Sequence, residues 1–494
     1  MNDSKLILDV NESPKKWYNW FLFAIQHVLA VLVATITIPL IIPGLPIAAT
    51  MIAAGMGTLF YIFVTKKKSP VFLSSSFAYI SPISSALAVG GLTNAMGQPL
   101  NNYAALMIGM LMVGIVYTII AIVIKFTGMA WLNKILPPVV AGPTIMIIGL
   151  SLAVSAVGNL TTIKIDGVAS YNLIAILCGL IALLSTAFAA HYGQGKTLGL
   201  VPFIVGMGSG YASALIFTLI GYVGCGNEYF HIINFQPLLD IFSAENISFA
   251  SFFNYNIFVP NNEDSFIFLR FEEISKFNWS AIGQIALLFI PVSLVTICEH
   301  IGDHKNLGNI IGRDLLGEDP GMHRTLIGDG VATAISGQIA GCANTTYGES
   351  VAVIGTTRIA SINVMITAAI IMICFGLFTP FTAVLETIPS CVTGGISILL
   401  YGFIAISGVK LIYHAHIDFD KNKNLFVLST ILVTGVGGFI LKFGDPNNPI
   451  VQISPVAVAM ILGILLNIIL VDKKESKPLV KEDCVKPNEK DKQE

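Results

Sequence analysis

The sequence predicts an all-α polytopic membrane protein of fourteen transmembrane segments in two inverted seven-span repeats, with short extended segments in spans 3 and 10. Three observations carry this prediction. The 494 residues are 54% hydrophobic and only 11% charged, with a mean hydropathy of +0.79, whereas a soluble chain carries about a quarter charged residues. The apolar runs fall seven before and seven after one polar stretch, 224–278. Two of those runs are broken at corresponding places by SSSFAYISP and NTTYGES. A net charge of −2, with no basic cluster interleaved with aromatics, excludes a nucleic-acid surface.

Taken in order, runs bounded by charges, Gly and Pro lie at 20–41, 46–64, 71–90, 103–124, 130–155, 171–190 and 197–223, then at 280–302, 325–342, 345–362, 364–386, 390–412, 424–441 and 452–471. The segment MNDSKLILDVNESPKKW is too polar for a cleaved signal peptide, so the first span is expected to serve as its own insertion signal. The seven cysteines mostly fall inside apolar runs without paired or metal-like spacing and read as small buried hydrophobes.

Basic residues set the expected orientation. Lys15, Lys16, Lys66, Lys67, Lys68, Lys125, Lys134, Lys196, Lys305, Arg313, Arg324, Arg358, Lys421, Lys423, Lys473 and Lys474 fall on one side of fourteen spans, and Lys164, Arg270, Lys276 and Lys442 on the other. The positive-inside rule then puts both termini in the cytoplasm and the acidic 224–278 stretch outside. The tail 472–494 is charged, poor in apolar residues and expected to be disordered.

The halves match each other in three places: around His27 and His300, around Phe77 and Tyr347, and at LPPVVAG from Leu136 and IPSCVTG from Ile388. Because each half holds an odd number of spans, the second must insert upside down relative to the first. The two broken spans would then meet near the bilayer midplane and aim free N–H groups at one cavity.

Glu349 is the carboxylate with no local reason to be in an apolar run. If a helix starts near it and ends at Arg358, the rise is about 13 to 14 Å, nearly half of a hydrocarbon core. An intramembrane Glu is by default a substrate, ion or proton site. Tyr347 and Gly348 before it offer a π face and close backbone approach. Glu299 occupies the repeat-equivalent region of the eighth span, so a planar ligand with adjacent N–H and C=O groups fits between the two carboxylates. Phe77 and Tyr347 would cover its ring faces, and Asp303 and His304, one turn beyond Glu299, extend a protonatable chain. A straight helix from Trp279 would place Glu299 near the inner surface, whereas one continuing through NLGNIIG to Arg313 keeps it inside. Tyr401 reads equally as packing or as a gate contact.

Other motifs carry less. HYGQGKT has Ala190 where a phosphate loop needs its first Gly and has no preceding strand, so it reads as a cytoplasmic turn. HAHIDFD, with His414, His416, Asp418 and Asp420, reads as a solvated charge cluster rather than a metal site.

QHVLAV, SSSFAYISP, EHIGDH, DPGMHRTLIGDG and NTTYGESVAVIGTTR resemble the uracil permease branch of the nucleobase and ascorbate transporter family over about residues 15–470. The resemblance implies a core domain from spans 1–4 (20–126) and 8–11 (279–387), and a gate domain from spans 5–7 (127–223) and 12–14 (388–471). These would be flanked by a cytoplasmic N-terminus, 1–19, and joined by the extracellular loop 224–278. It implies proton-coupled uracil uptake across the plasma membrane by movement of one domain against the other. Glu299 and Glu349 become the uracil-binding carboxylates, Phe77 and Gly348 backbone contacts, Tyr347 a pocket wall and Tyr401 a gate-side contact. Glu349, Asp303 and His304 become the proton-handling groups.

Two positions depart from the family pattern. Asp303 stands where the best-known member has a His, and Ser350 where an Asn is often found. The partners expected are uracil or a related nucleobase, protons, membrane lipid and a second copy of the chain in a homodimer, with no cofactor and no metal. Alternatives are a xanthine or urate symporter of the same fold, a membrane-embedded enzyme acting on a lipid-linked substrate, and a passive channel. No nucleophile constellation supports the enzyme, and interrupted helices in an inverted repeat favour alternating access over a continuous pore.

Overall fold

The computed structural model describes residues 6–89, 101–165, 168–193, 199, 201–225, 227–242, 249–260, 265–275, 277–317, 319–444 and 449–470. The tail 472–494 and the turn at Gly195, Lys196 and Thr197 lie outside them. The chain is mostly helical. In order it forms α1 (Trp17–Ile41), α2 (Ile47–Val64), β1 (Leu73–Ser75), α3 (Ile80–Leu87), α4 (Tyr103–Thr127), α5 (Ala130–Ile135), α6 (Pro138–Ser151), α7 (Ala153–Thr161), β2 (Thr162–Ile165), β3 (Val168–Tyr171), α8 (Leu173–Tyr192) and α9 (Pro202–Ile220). The polar stretch holds two short helices, α10 (Gln236–Phe242) and α11 (Phe271–Ser275). Then follow α12 (Ile282–Ile311), α13 (Met322–Gln338), β4 (Asn344–Thr346), α14 (Gly348–Thr357), α15 (Ile362–Leu377), α16 (Thr379–Glu386), α17 (Ser390–His414), α18 (Asn422–Val436), β5 (Leu441–Gly444), β6 (Pro449–Ile453) and α19 (Pro455–Ile469).

Among the described residues, eight helical segments are long and apolar enough to cross a membrane, and three more apolar helices are shorter. The molecule is therefore a multi-pass membrane protein. Helix starts follow local chemistry. Asn102, Asn172, Ser361 and Ser454 accept from first-turn N–H groups of α4, α8, α15 and α19. Pro137 and Pro389, both extended, lead into α6 and α17.

The helices form two packed groups. In one, α13 lies on α2 and α4, α15 on α1 and α2, and α12 on α4. In the other, α17 packs on α6, α7 and α8, with α18 and α19 on α6 and α9 on α8. α13 is the least apolar of these long helices, and its glycines admit large neighbours. A Cβ on Gly330 would sit 2.3 Å from the Tyr117 Cβ, so only glycine lets α4 approach there.

β1 and β4 pair antiparallel, with Leu73 opposite Thr346, Ser74 opposite Thr345 and Ser75 opposite Asn344. The pair settles the backbone problem that an extended segment creates away from water. Buried side chains finish it. Asn344 Nδ2 donates to the Ala53 carbonyl at 2.9 Å, Thr333 Oγ1 to the Asn344 carbonyl at 2.6 Å, and the Leu73 N–H to Thr58 Oγ1 at 2.9 Å. This is why the sequence turns polar there. α3 and α14 each follow one strand of the pair in sequence, so the N-terminus of each lies at the end that leads out of it.

Candidate functional site

α14 begins at Gly348, immediately after the extended Tyr347, and ends at Arg358, which adopts a left-handed conformation. Glu349 thus lies in the first turn, at the positive end of the helix dipole. α12 does not stop near Glu299. It runs to Ile311 and is closed by the left-handed Gly312, which leaves Glu299 about 18 Å from the helix end.

Three contacts set the rotation of α12. The Thr296 hydroxyl meets Tyr117 at 2.7 Å and Tyr79 at 3.2 Å. His300 Nδ1 lies 2.7 Å from Asp329 Oδ2, and its Nε2 3.0 Å from the Thr325 hydroxyl. His304 Nδ1 donates to the His300 carbonyl at 2.8 Å, and its Nε2 lies 2.5 Å from the Tyr61 hydroxyl, which in turn reaches Ser69 at 2.8 Å. Residues 296, 300 and 304 recur every four positions and form one stripe. That stripe is buried and held by α2, α4 and α13. The neighbouring stripe, Glu299 and Asp303, is thereby turned towards α14.

The structure brings most of the expected residues together. Glu299 is within Coulombic reach of both Asp303 and Glu349. Asp303 Oδ2 accepts from Thr346 Oγ1 at 2.9 Å, and its other oxygen lies 3.8 Å from where a Gly348 Cβ would stand. Gly348 is exposed and Glu349, Glu299 and Asp303 are half-buried, while Tyr347 and Ser350 on either side are buried. Phe77, at the turn from β1 into α3, meets Tyr401 of α17 edge to face with centroids 5.5 Å apart. That contact joins the two helix groups. The Tyr347 hydroxyl is buried without a hydrogen-bond partner, so it can turn to a ligand at little cost.

Two residues stand apart. His304 is on the other side of α12 from Asp303, about 100° around the helix, buried against Tyr61. Ser350 is buried as well. It accepts from the Phe72 N–H at 3.3 Å and ties α14 to the approach of β1. Sequence reasoning passed over Asp329, a buried carboxylate behind the site, although the rule that singles out Glu349 applies equally to a carboxylate inside TLIGDGVAT. A separate cavity of about 790 Å³ is lined by Tyr103, Arg270 and Phe253 among others and by none of these site residues.

Chemically, the exposed Gly348 backbone at the start of α14 lies beside the half-buried carboxylates Glu349, Glu299 and Asp303, with the buried rings of Phe77, Tyr347 and Tyr401 packed nearby. Such a set suits a flat, uncharged ring bearing both N–H and C=O groups. Two helices that start at a buried strand pair, with carboxylates at their meeting point, define a class: a multi-pass membrane protein of the transporter type.

A model described as "Permease family", for xanthine and uracil permeases, matches residues 18–443. The chain belongs to this family, the nucleobase and ascorbate transporters that its motifs resemble. It is 35% identical over 488 residues to the uracil permease of Bacillus caldolyticus, covering 99% of each chain. It is 36% identical to that of Bacillus subtilis (strain 168), covering 96% of this chain and 98% of the other, and 31% identical to that of Escherichia coli (strain K12), covering 90% of each. Among solved structures, the fold is similar to the murine Solute Carrier 26 family member A9 anion transporter in its inward-facing state, with TM-score 0.58 at 10% identity over 93% of this chain and 69% of the other. It is also similar to the transmembrane domain of the cyanobacterial bicarbonate transporter BicA, with TM-score 0.53 at 11% identity over 93% and 99%. At such identities only the fold is shared.

Proposed function

We propose that the protein carries uracil into the cell in symport with protons, by alternating access across the plasma membrane. The observation that carries this reading is the convergence of Gly348 and Glu349 with Glu299 and Asp303 beside an aromatic contact from the opposite helix group. Glu299 and Glu349 accept the ring N–H groups of uracil, the Phe77 and Gly348 backbones donate to its carbonyls, and Tyr347 and Tyr401 wall the ring. Glu349 and Asp303 exchange the coupled proton, and His304, about 100° around α12 from Asp303 and bonded to Tyr61 and the His300 carbonyl, is assigned no direct step. The full-length relatives named uracil permease support the substrate, and a carboxylate at 349 is able to accept its ring N–H. Those relatives do not favour the xanthine or urate reading.

The architecture we assign is fourteen spans in a seven-plus-seven inverted repeat. Helix in every apolar run, the pairing of β1 with β4, and the matched proline-led starts of α6 and α17 support it. The core domain comprises 20–126 and 279–387 and the gate domain 127–223 and 388–471, in keeping with the two packed groups. The excess of Lys and Arg on one side places both termini in the cytoplasm. Lipid surrounds the bundle, and a homodimer is the assembly we assign.

The test is uptake of radiolabelled uracil into proteoliposomes with and without an inward proton gradient, for the parent and for Glu349→Gln. Gradient-stimulated uptake in the parent that Glu349→Gln abolishes is expected. Uptake indifferent to the gradient would remove the coupling. No uracil uptake by the intact parent, with uptake of radiolabelled xanthine by the same vesicles, would move the substrate to the purines.

A further inference from the structure

Residues 6–13, ahead of α1, are docked rather than loose. Leu8 pairs in parallel with Ile359. The Arg358 carbonyl, freed where α14 ends, accepts from the Ile7 N–H at 2.8 Å and the Leu8 N–H at 3.3 Å. The ladder continues with Ala360 N–H to the Leu8 carbonyl at 2.9 Å and Ile362 N–H to the Val10 carbonyl at 3.0 Å. Ser361 Oγ then donates to the Glu12 carbonyl at 2.5 Å, and Asn363 Nδ2 to Ser13 Oγ at 2.7 Å. Val10 is wholly buried. On the other side of the segment, Asp9 Oδ2 takes a 2.6 Å ion pair from the Arg313 guanidinium, just past the end of α12.

One segment therefore clamps the far ends of the two helices that carry the carboxylates. α14 is a single rigid run from Gly348 to Thr357, and α12 is uninterrupted from Glu299 to Ile311. Near those ends the helices are already close, since a Cβ on Gly355 would stand 3.2 Å from Ile310 Cδ1. A tilt of either end swings Glu349 relative to Glu299 and Asp303, because a stiff helix carries the displacement along its axis.

We propose that residues 6–13 form a strap that fixes the spacing of the two carboxylate-bearing helices, with Asp9 and Arg313 as positioning residues for substrate affinity. The proposal rests on the reading of Glu299 and Glu349 as uracil ligands. Its occupant is this chain's own N-terminal segment, seated on the 358–363 edge.

The test uses the full-length protein in detergent, measuring the Kd for radiolabelled uracil and the melting temperature without uracil. The variants are Asp9→Arg, Arg313→Asp and the double exchange. Each single reversal is expected to weaken binding about fivefold, the scale on which repulsion replaces attraction in a partly exposed pair. The double exchange is expected to return to within about twofold of the parent, with melting temperatures near the parent's throughout. Single variants that bind like the parent, or weakened binding that the double exchange does not rescue, would overturn the strap. Glu349→Gln is the parallel control. If it binds uracil like the parent, the site assignment fails, and that outcome is independent of the Asp9 and Arg313 series.

Discussion

Tyr61→Phe removes one oxygen from a place where the structure leaves it no substitute. The hydroxyl bridges His304 Nε2 at 2.5 Å and Ser69 Oγ at 2.8 Å, and all three side chains are buried. The ring itself stays, so packing against Gly328 is kept. What is lost is one hydrogen bond to each partner, with a buried acceptor stranded on His304; at about 1 to 3 kcal/mol per stranded group the expected cost is about 3 kcal/mol. For a chain of this length, the scaling of globular proteins converts that to a fall in melting temperature of about 3 °C. Binding should change far less. Tyr61 acts on the stripe of α12 that does not carry Glu299 and Asp303, and Thr296 and His300 still hold the helix through Tyr117 and Asp329. Uracil Kd is expected to stay within about threefold of the parent, since two of three anchors persist. Thermal unfolding followed by fluorescence, paired with equilibrium uracil binding, reads both quantities. A variant with an unchanged melting temperature but binding lost tenfold or more would refute the division of α12 into an anchoring stripe and a binding stripe.

Further outcomes follow from the same geometry. Asp303→Asn keeps an acceptor for Thr346 Oγ1, so uracil binding in detergent is expected to survive, while stimulation of proteoliposome uptake by a proton gradient is lost; undiminished stimulation would take Asp303 out of the proton route. Tyr401→Ala removes the edge-to-face partner of Phe77 and is expected to weaken uracil binding about tenfold, an aromatic pair being worth about 0.5 to 1.5 kcal/mol beyond its buried area. Gly330→Ala drives a methyl into Tyr117 and is expected to cost about 1 to 3 kcal/mol in a melting assay. Asp319→Asn loosens a solvent-exposed cluster with Lys68 and Arg324 and is expected to leave uptake unchanged, since such pairs contribute about 0 to 1 kcal/mol at most.

Much of this molecule is legible in its residues because the bilayer permits few solutions. A run of twenty apolar residues has to be helical, and helix occupies each of the runs read from the sequence. The breaks were legible for the opposite reason. Asn344, Thr345 and Thr346 are poor helix residues in an apolar setting, and they form β4. Glu349 betrays itself as a charge without local compensation. Hidden features are those that depend on a partner far away in sequence. Asp303 and His304 look like one protonatable unit, yet a helix separates them by about 100°, and only the positions of α2 and α13 decide which faces inward. Residues 6–13 show no periodicity at all, because their order comes from a six-residue edge some 350 positions later. Ser350 looks like a pocket residue by its place beside Glu349, and its actual bond, to the Phe72 N–H, joins the two halves of the chain.

The pairing of β1 with β4 also bears on how the protein is made. Its strands lie about 270 residues apart, so during synthesis the first strand waits, unpaired, until nearly three-quarters of the chain has been threaded. Closing so long a loop carries an entropy cost that grows with its length, and contacts of that span form late. Neither half can own a finished strand pair: a chain halted before residue 344 has β1 without its partner β4. The earliest moment at which the growing polypeptide can engage its substrate therefore follows the emergence of α14.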